Sequence, residues 1–142
     1  MTQDHAPDDF NWVGAQAQCT AQAMFERLRT RVREDVQKRN ALFDRSDRWK
    51  FEFSEEDGDF EVERHVPSGA TGTRVTAVVR FAREGPRIHV QGEDIDVEFV
   101  AMVTLDVSGQ CRFLVGEAMY SDWEIRRMAL ELLFFEESDD AE

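Results

Sequence analysis

The apolar positions of this chain change their spacing twice, and each spacing is typical of one kind of secondary structure. From about Asn11 to Arg39 they recur every three or four residues, which predicts one long helix. From Trp49 to Val115 they alternate with polar residues, which predicts strands. From Ser121 onward the spacing of three and four returns. The pattern therefore predicts a long N-terminal helix, a sheet and a C-terminal helix.

Turn-forming residues divide the alternating region into six predicted strands. Connections this short are typical of an antiparallel meander, and a sheet with apolar residues on one face needs helices to cover it. The predicted fold class is therefore α+β: a long N-terminal helix, a six-stranded antiparallel meander sheet and a C-terminal helix, in two layers. Val75 is assigned to the covered face together with Ala77. The other residues expected on that face include Trp49, Phe51, Phe60, Val79, Ile88, Phe99, Val103 and Phe113.

The chain is expected to fold as one domain over residues 1–142. A chain of 142 residues is long enough to bury roughly 70% of its unfolded surface, and its sequence contains no internal repeat or linker. Residues 1–8 are predicted to form a flexible polar arm, and residues 137–142 an acidic tail.

The predicted C-terminal helix carries apolar residues on two sides. One broad face, which includes Ile125 and Leu133, suits packing on the sheet, and Ser121 with Glu124 forms a capping box at the start. On the opposite side lies a narrow apolar stripe made of Trp123, Leu130 and Phe134. The stripe either packs within its own chain or contacts a second chain, unless the helix ends early. We hypothesise an interface with a second copy.

The charge of the chain limits its partners. The formal net charge is −13, which repels nucleic acid and anionic lipid at long range. Nine basic residues stand against four acidic ones between Arg27 and Lys50, but no aromatics are interleaved with the helical arginines. We therefore expect no nucleic-acid partner, and we expect Arg27 and Arg31 to dock on an acidic patch of a second copy. The longest apolar run, FVAMV, is too short for a membrane span.

The two cysteines, Cys19 and Cys111, lie far apart and outside any C-x-x-C motif. A chain of this length needs no disulfide scaffold, so two reduced thiols are predicted. The first residues show no positive charge followed by a long apolar run, as a signal peptide would. A cytoplasmic location is the resulting expectation.

Few residues suggest chemistry. His89 and Glu98 lie on the polar side of neighbouring predicted strands, and Arg112 on that of the next one. A histidine beside carboxylates can bind a metal or act as a base, but exposed strands commonly carry such residues. No catalytic, cofactor-binding or metal-binding residue is assigned, and no cofactor is expected.

Two functional hypotheses follow. The first is a non-enzymatic, acidic protein-binding protein of adaptor, chaperone-like or immunity-like type, which forms a homodimer. The alternative is a small-ligand-binding or enzymatic domain. In that case a strongly curved sheet, as in cystatin-like folds, would enclose a pocket lined by His89, Glu98 and Arg112.

Overall fold

The computed structural model of the chain describes residues 6–43, 49–69 and 72–135. Seven strands form one antiparallel sheet in the order β1 to β7, with helices packed on one face. This arrangement confirms the predicted α+β fold class. In chain order the elements are α1 (Trp12–Gln18), α2 (Ala21–Leu42), β1 (Lys50–Glu56), β2 (Asp59–Ser68), β3 (Gly72–Glu84), β4 (Arg87–Glu93), β5 (Glu98–Leu105), β6 (Cys111–Val115), β7 (Ala118–Tyr120) and α3 (Asp122–Phe135).

The seventh strand, β7, is the difference from the six predicted strands. Val115 pairs with Ala118, so only two residues, Gly116 and Glu117, form the hairpin loop. Gly116 has a φ of 61°, which a residue without a side chain adopts at little cost. The chain therefore turns back directly after the alternating region and forms β7.

The predicted single N-terminal helix is two helices. Thr20 has extended backbone angles and its hydroxyl accepts a hydrogen bond from the N–H of Ala23 at 3.1 Å, so it begins α2 as an N-cap residue. Asn11 caps α1, because its side-chain oxygen accepts a hydrogen bond from the N–H of Gly14 at 3.1 Å. The apolar spacing continues across the break, and for this reason the periodicity alone did not reveal it.

Cys19 and Cys111 are joined by a disulfide, with their Cα atoms 5.4 Å apart. The prediction of two reduced thiols is wrong in this structure. The bond links the α1–α2 junction to the first residue of β6. A sequence separation of 92 residues gives no local signal for this pairing, which only the fold produces.

The sheet packs its predicted face against α2 and α3. Six of the eight residues expected there are buried, and Phe99 and Val103 are partly buried against the same core. From α2, Phe25, Leu28 and Val32 fill the space over the sheet, where the rings of Phe25 and Phe60 lie 5.0 Å apart. The alternation of strand residues thus predicted the covered face.

Val75 is an exception, because the pairing of β2 with β3 is irregular. The register shifts between Arg64 and His65, so that Arg64 pairs with Ala77 but His65 pairs with Val75. An extra residue in a strand resets the alternation of faces. Val75 consequently lies on the face opposite the helices, called the open face below, where it is 44% exposed.

The ends of the described segments bear on the predicted arm and tail. The N–H of Ala6 donates a hydrogen bond to the carbonyl of Val107 in the β5–β6 turn, at 3.0 Å. Residues 6–8, which belong to the predicted flexible arm, thus begin at a residue that is bonded to this turn. Residues 1–5 and the predicted acidic tail at 137–142 lie outside the described residues. Among the helices described, none is long and apolar enough to cross a membrane.

Candidate functional site

The predicted stripe on α3 divides into a buried part and an exposed part. Leu130 is 2% exposed and Phe134 6% exposed, whereas Trp123 is 56% exposed. The Phe134 ring lies 4.9 Å from the ring of Phe51 in β1, and α2 runs alongside. Leu130 and Phe134 therefore pack mainly within their own chain, as the same-chain alternative expects, and the hypothesis that they are buried by a second chain is corrected. Of the three stripe residues only Trp123 is mostly exposed.

An open groove separates the C-terminal half of α2 from α3, with a volume of about 380 Å³. Leu130 and Phe134 form its apolar floor. Leu42, Trp123 and Phe135 stand at its edges, each more than half exposed. The remaining lining residues are Asp35, Lys38, Arg39, Arg126, Arg127 and Glu131. We call this feature the α2/α3 groove.

An ion pair joins the two helices, α2 and α3, that form the walls of the groove. Arg126 of α3 contacts Asp35 of α2 through Nη1, 2.7 Å from Oδ2, and contacts Asp122 through Nε at 3.0 Å. Burial alone would lower the pKa of Arg126, but the hydrogen bonds and charges of Asp35 and Asp122 raise it above its ordinary value. Arg127 pairs with Glu131 on the outer rim at 3.2 Å. The rim therefore presents both signs of charge.

Arg39 forms the inner end of the groove and is buried. Its Nε donates to the carbonyl of Phe134 at 2.9 Å, and its guanidinium lies 4.1 Å from the ring centre of Phe43 and 4.9 Å from that of Phe51. Nη1 of Arg64 donates to the carbonyl of Leu133 at 3.3 Å. Two cations from other elements thus cap the last turn of α3, where helix carbonyls lack partners.

Sequence reasoning counted Arg39 only as one basic residue of the helix. A signal for its role was present, because position 39 continues the apolar stripe of Val32 and Val36 at helical spacing. A charged residue on such a stripe indicates a buried contact rather than a solvated one.

The predicted interface residues Arg27 and Arg31 lie on the exposed side of α2. At about 100° per residue they share one face of the helix with Lys38 and Leu42, which line the α2/α3 groove. Nη1 of Arg31 is 3.9 Å from Oε1 of Glu34. The two arginines do not line the groove, but the helix face on which they lie continues to Lys38 and Leu42, which do.

The three predicted pocket residues share the open face of the sheet but are not brought together. Glu98 pairs with Gln91 and is a diagonal neighbour of His89. Arg112 pairs with Thr104, six residues along β5 from Glu98, which corresponds to about 20 Å. Nε of Arg112 is bound to Oδ2 of Asp106 at 2.8 Å in the β5–β6 turn. Its role there is structural.

The lining of the α2/α3 groove limits its chemistry. Its described residues include no histidine, cysteine or serine, and its two carboxylates, on Asp35 and Glu131, are held in ion pairs. The groove can receive apolar side chains and pair charges at its rim.

Comparisons of the chain with protein-family models, curated proteins and solved structures give no match.

Proposed function

We propose that the protein is a non-enzymatic protein-binding protein that self-associates through the α2/α3 groove. One observation carries the proposal: Leu42, Trp123 and Phe135 are more than half exposed around an apolar floor, on a protein with a net charge of −13. Large exposed apolar side chains that cluster together usually mark a contact surface on a soluble domain.

A second copy is the occupant that fits the groove best. In a twofold dimer each surface patch meets its own copy, so the patch must be self-complementary. The exposed indole of Trp123 stands beside an apolar concavity that an indole can enter. The rim carries Lys38 and Arg127 together with Glu131, so opposite charges can also meet across the axis.

The energy scale requires a contact larger than the groove. Fully burying a large apolar side chain contributes about 1.5–3 kcal/mol, and Trp123 gains less because it is already partly buried. Association costs at least ~4 kcal/mol. The dimer contact should therefore extend along α2 to the exposed face that carries Arg31 and Arg27.

The packing of α2 favours this proposal over a ligand pocket in a curved sheet. Leu28 and Val32 of α2 and Phe60 and Phe81 of the sheet have almost no exposed surface. These side chains fill the space between helix and sheet, and the three predicted pocket residues, His89, Glu98 and Arg112, are spread over the open face instead.

The cytoplasmic location stays a hypothesis. Disulfides persist mainly in oxidising compartments, and the Cys19–Cys111 bond argues for one of those instead.

Sedimentation velocity over a range of concentrations tests the proposal. The wild type should sediment as a dimer, and Trp123→Asp should yield a folded monomer. Trp12→Asp is the matched control, because Trp12 is similarly exposed but lies on α1. Leu42→Asp provides a second variant at an exposed position. Substitutions of Leu130 or Phe134 are unsuitable, since both belong to the core. A wild type that stays monomeric at high concentration, or a Trp123→Asp variant that still dimerises, contradicts the proposal.

A further inference from the structure

Three side chains with metal-ligand chemistry converge on the open face at the β1–β2 edge of the sheet. Glu52 of β1 is paired directly with Glu63 of β2, and His65 follows two residues later. Nε2 of His65 lies 2.9 Å from Oε1 of Glu63 and 3.7 Å from Oε1 of Glu52. One ligand atom from each residue lies within 4.8 Å of the other two.

The imidazole ring of His65 is oriented by a third strand. Its Nδ1 lies 3.2 Å from Oγ1 of Thr73 in β3, which directs Nε2 towards the two carboxylates. Metal-binding histidines usually have their second nitrogen held in this way by a hydrogen-bonding partner. The register shift between Arg64 and His65 places Thr73 within reach.

The two glutamates repel each other across the strand pair, because like charges directly opposite each other on neighbouring strands destabilise the pairing. A divalent ion bound to Nε2 of His65 would offset both negative charges. Neutral imidazole and carboxylate oxygens are both ordinary ligands of such an ion.

We propose that Glu52, Glu63 and His65 form a binding site for a divalent transition-metal ion of the Zn²⁺ class. Tetrahedral Zn²⁺ has bonds of about 2.0–2.2 Å to nitrogen and oxygen, which places neighbouring ligand atoms roughly 3.3–3.5 Å apart. On binding, Nε2 of His65 and Oε1 of Glu63 must therefore exchange their hydrogen bond for the ion and move slightly apart, while Glu52 moves closer. The exposed side chain of Glu52 can make that movement, while Glu63 and His65 are mostly covered. Water would complete the coordination. The site is independent of the α2/α3 groove, because it lies on the opposite face of the sheet.

One residue opposes binding. Lys50 is paired directly with His65 and shares its face, so its ammonium competes with the ion for the carboxylates. The proposal therefore expects Lys50→Gln to bind the ion more tightly than the wild type, which a structural ion pair alone would not explain.

Isothermal titration of the full chain with ZnCl₂, after removal of any purification tag, tests the site. The wild type should take up one Zn²⁺ per chain and bind Ca²⁺ far more weakly, because Ca²⁺ requires six to eight oxygen ligands. His65→Gln and Glu63→Gln should abolish saturable uptake, and Thr73→Val should weaken it by roughly 10-fold. Glu52→Gln should also weaken it, and this substitution of an exposed side chain disturbs the fold least.

The matched control is His89→Gln. Nε2 of His89 lies 3.6 Å from a single carboxylate, that of Glu84, on the same sheet. This variant should bind Zn²⁺ as the wild type does. The proposal is overturned if the wild type shows no saturable uptake, or if Glu52→Gln and His65→Gln bind as tightly as the wild type does.

Discussion

At the scale of single residues, Arg39 shows why a basic helix cannot be interpreted from charge alone. Its position on the apolar stripe of α2 places the guanidinium among aromatic rings, and its Nε satisfies the carbonyl of Phe134. Arg27, on the opposite side of the same helix, is exposed. The same residue type thus has a structural role at one position and a surface role at the other.

We expect Arg39→Ala to lower the free energy of unfolding by about 1.5–3 kcal/mol, the usual range for a buried hydrogen bond to a charged group. Urea denaturation followed by circular dichroism measures the change. Arg27→Ala is the matched control and should stay within about 0.5 kcal/mol of the wild type, because it removes only an exposed side chain. Equal effects of the two substitutions would show that Arg39 does not cap α3.

Asp106 should make the stability depend on pH in the acid range. Burial alone would raise the pKa of Asp106, but hydrogen bonds from Arg112, Ser108 and Gln110 hold it well below its usual value. A carboxyl group with a pKa lower in the folded than in the unfolded state stabilises the fold fully above its unfolded pKa, about 4, and loses this contribution as the pH falls.

Thermal melts between neutral pH and about pH 2.5 measure this dependence. Asp106→Asn should reduce the loss of stability below about pH 4, whereas Glu98→Gln, at an exposed strand position, should leave it unchanged. An Asp106→Asn variant whose melting temperature falls with acid as steeply as that of the wild type contradicts the assignment.

At the scale of elements, apolar periodicity predicted the type and order of the helices and strands but missed the places where an element is interrupted or added. The strand alternation and one half of the capping box, the bond from the Ser121 N–H to Glu124, are local, and both are present. The other half differs, because the Ser121 hydroxyl donates to Glu124. The break before α2, the bulge beside His65 and the added strand β7 interrupt a pattern without changing its average period. For that reason the spacing of apolar residues did not reveal them.

Ser121→Ala should lower the free energy of unfolding by about 0.5–1.5 kcal/mol, the usual contribution of one hydrogen bond, because it removes the bond that the Ser121 hydroxyl donates to Glu124. The N–H and hydroxyl of Ser121 donate to Oε1 of Glu124 at 2.8 and 3.0 Å, and these bonds lower the pKa of Glu124. A thermal melt checks the change, with Ser54→Ala in the exposed part of β1 as the control. A melting temperature of Ser121→Ala equal to that of the control would show that α3 does not depend on the hydroxyl bond.

Among these contacts, the disulfide is expected to contribute most to the free energy of unfolding. Replacing both Cys19 and Cys111 by Ser should lower the free energy of unfolding by about 2–5 kcal/mol, since the unfolded chain is no longer cross-linked. Denaturation of the oxidised protein and of the double variant measures this difference. Thiol alkylation followed by intact mass spectrometry on protein from its native host should find no free cysteine. Two alkylated cysteines would restore the prediction of reduced thiols.

At the scale of the whole molecule, the sequence predicted where side chains lie on a helix but not which neighbour they meet. Helical spacing correctly placed Trp123, Leu130 and Phe134 on one side of α3. It did not predict that Leu130 and Phe134 are buried in their own chain while Trp123 is mostly exposed. The Glu52, Glu63 and His65 cluster depends on strand pairing and on a bulge, so sequence spacing alone did not identify it. In both cases the missing information was the tertiary arrangement of neighbouring elements.

The distribution of charge leads to the last prediction, which is that the protein does not bind nucleic acid. Affinity for a phosphate backbone depends on cations that release its counterions. On α2, however, Arg29 and Arg33 are paired with Glu55, and Arg31 lies near Glu34, while the whole chain carries −13. Few cations therefore remain to offset the long-range repulsion.

Fluorescence anisotropy with labelled single-stranded and double-stranded oligonucleotides at low salt provides the test, and no saturable binding is expected. Glu55→Gln is an informative companion variant, because it removes the carboxylate that Arg33 shares with Arg29, while Glu26 still pairs with Arg29. Any weak binding should appear in this variant before it appears in the wild type. Wild-type binding that weakens steeply as salt rises, and that Arg27→Gln with Arg31→Gln removes, would instead make the exposed face of α2 a nucleic-acid site.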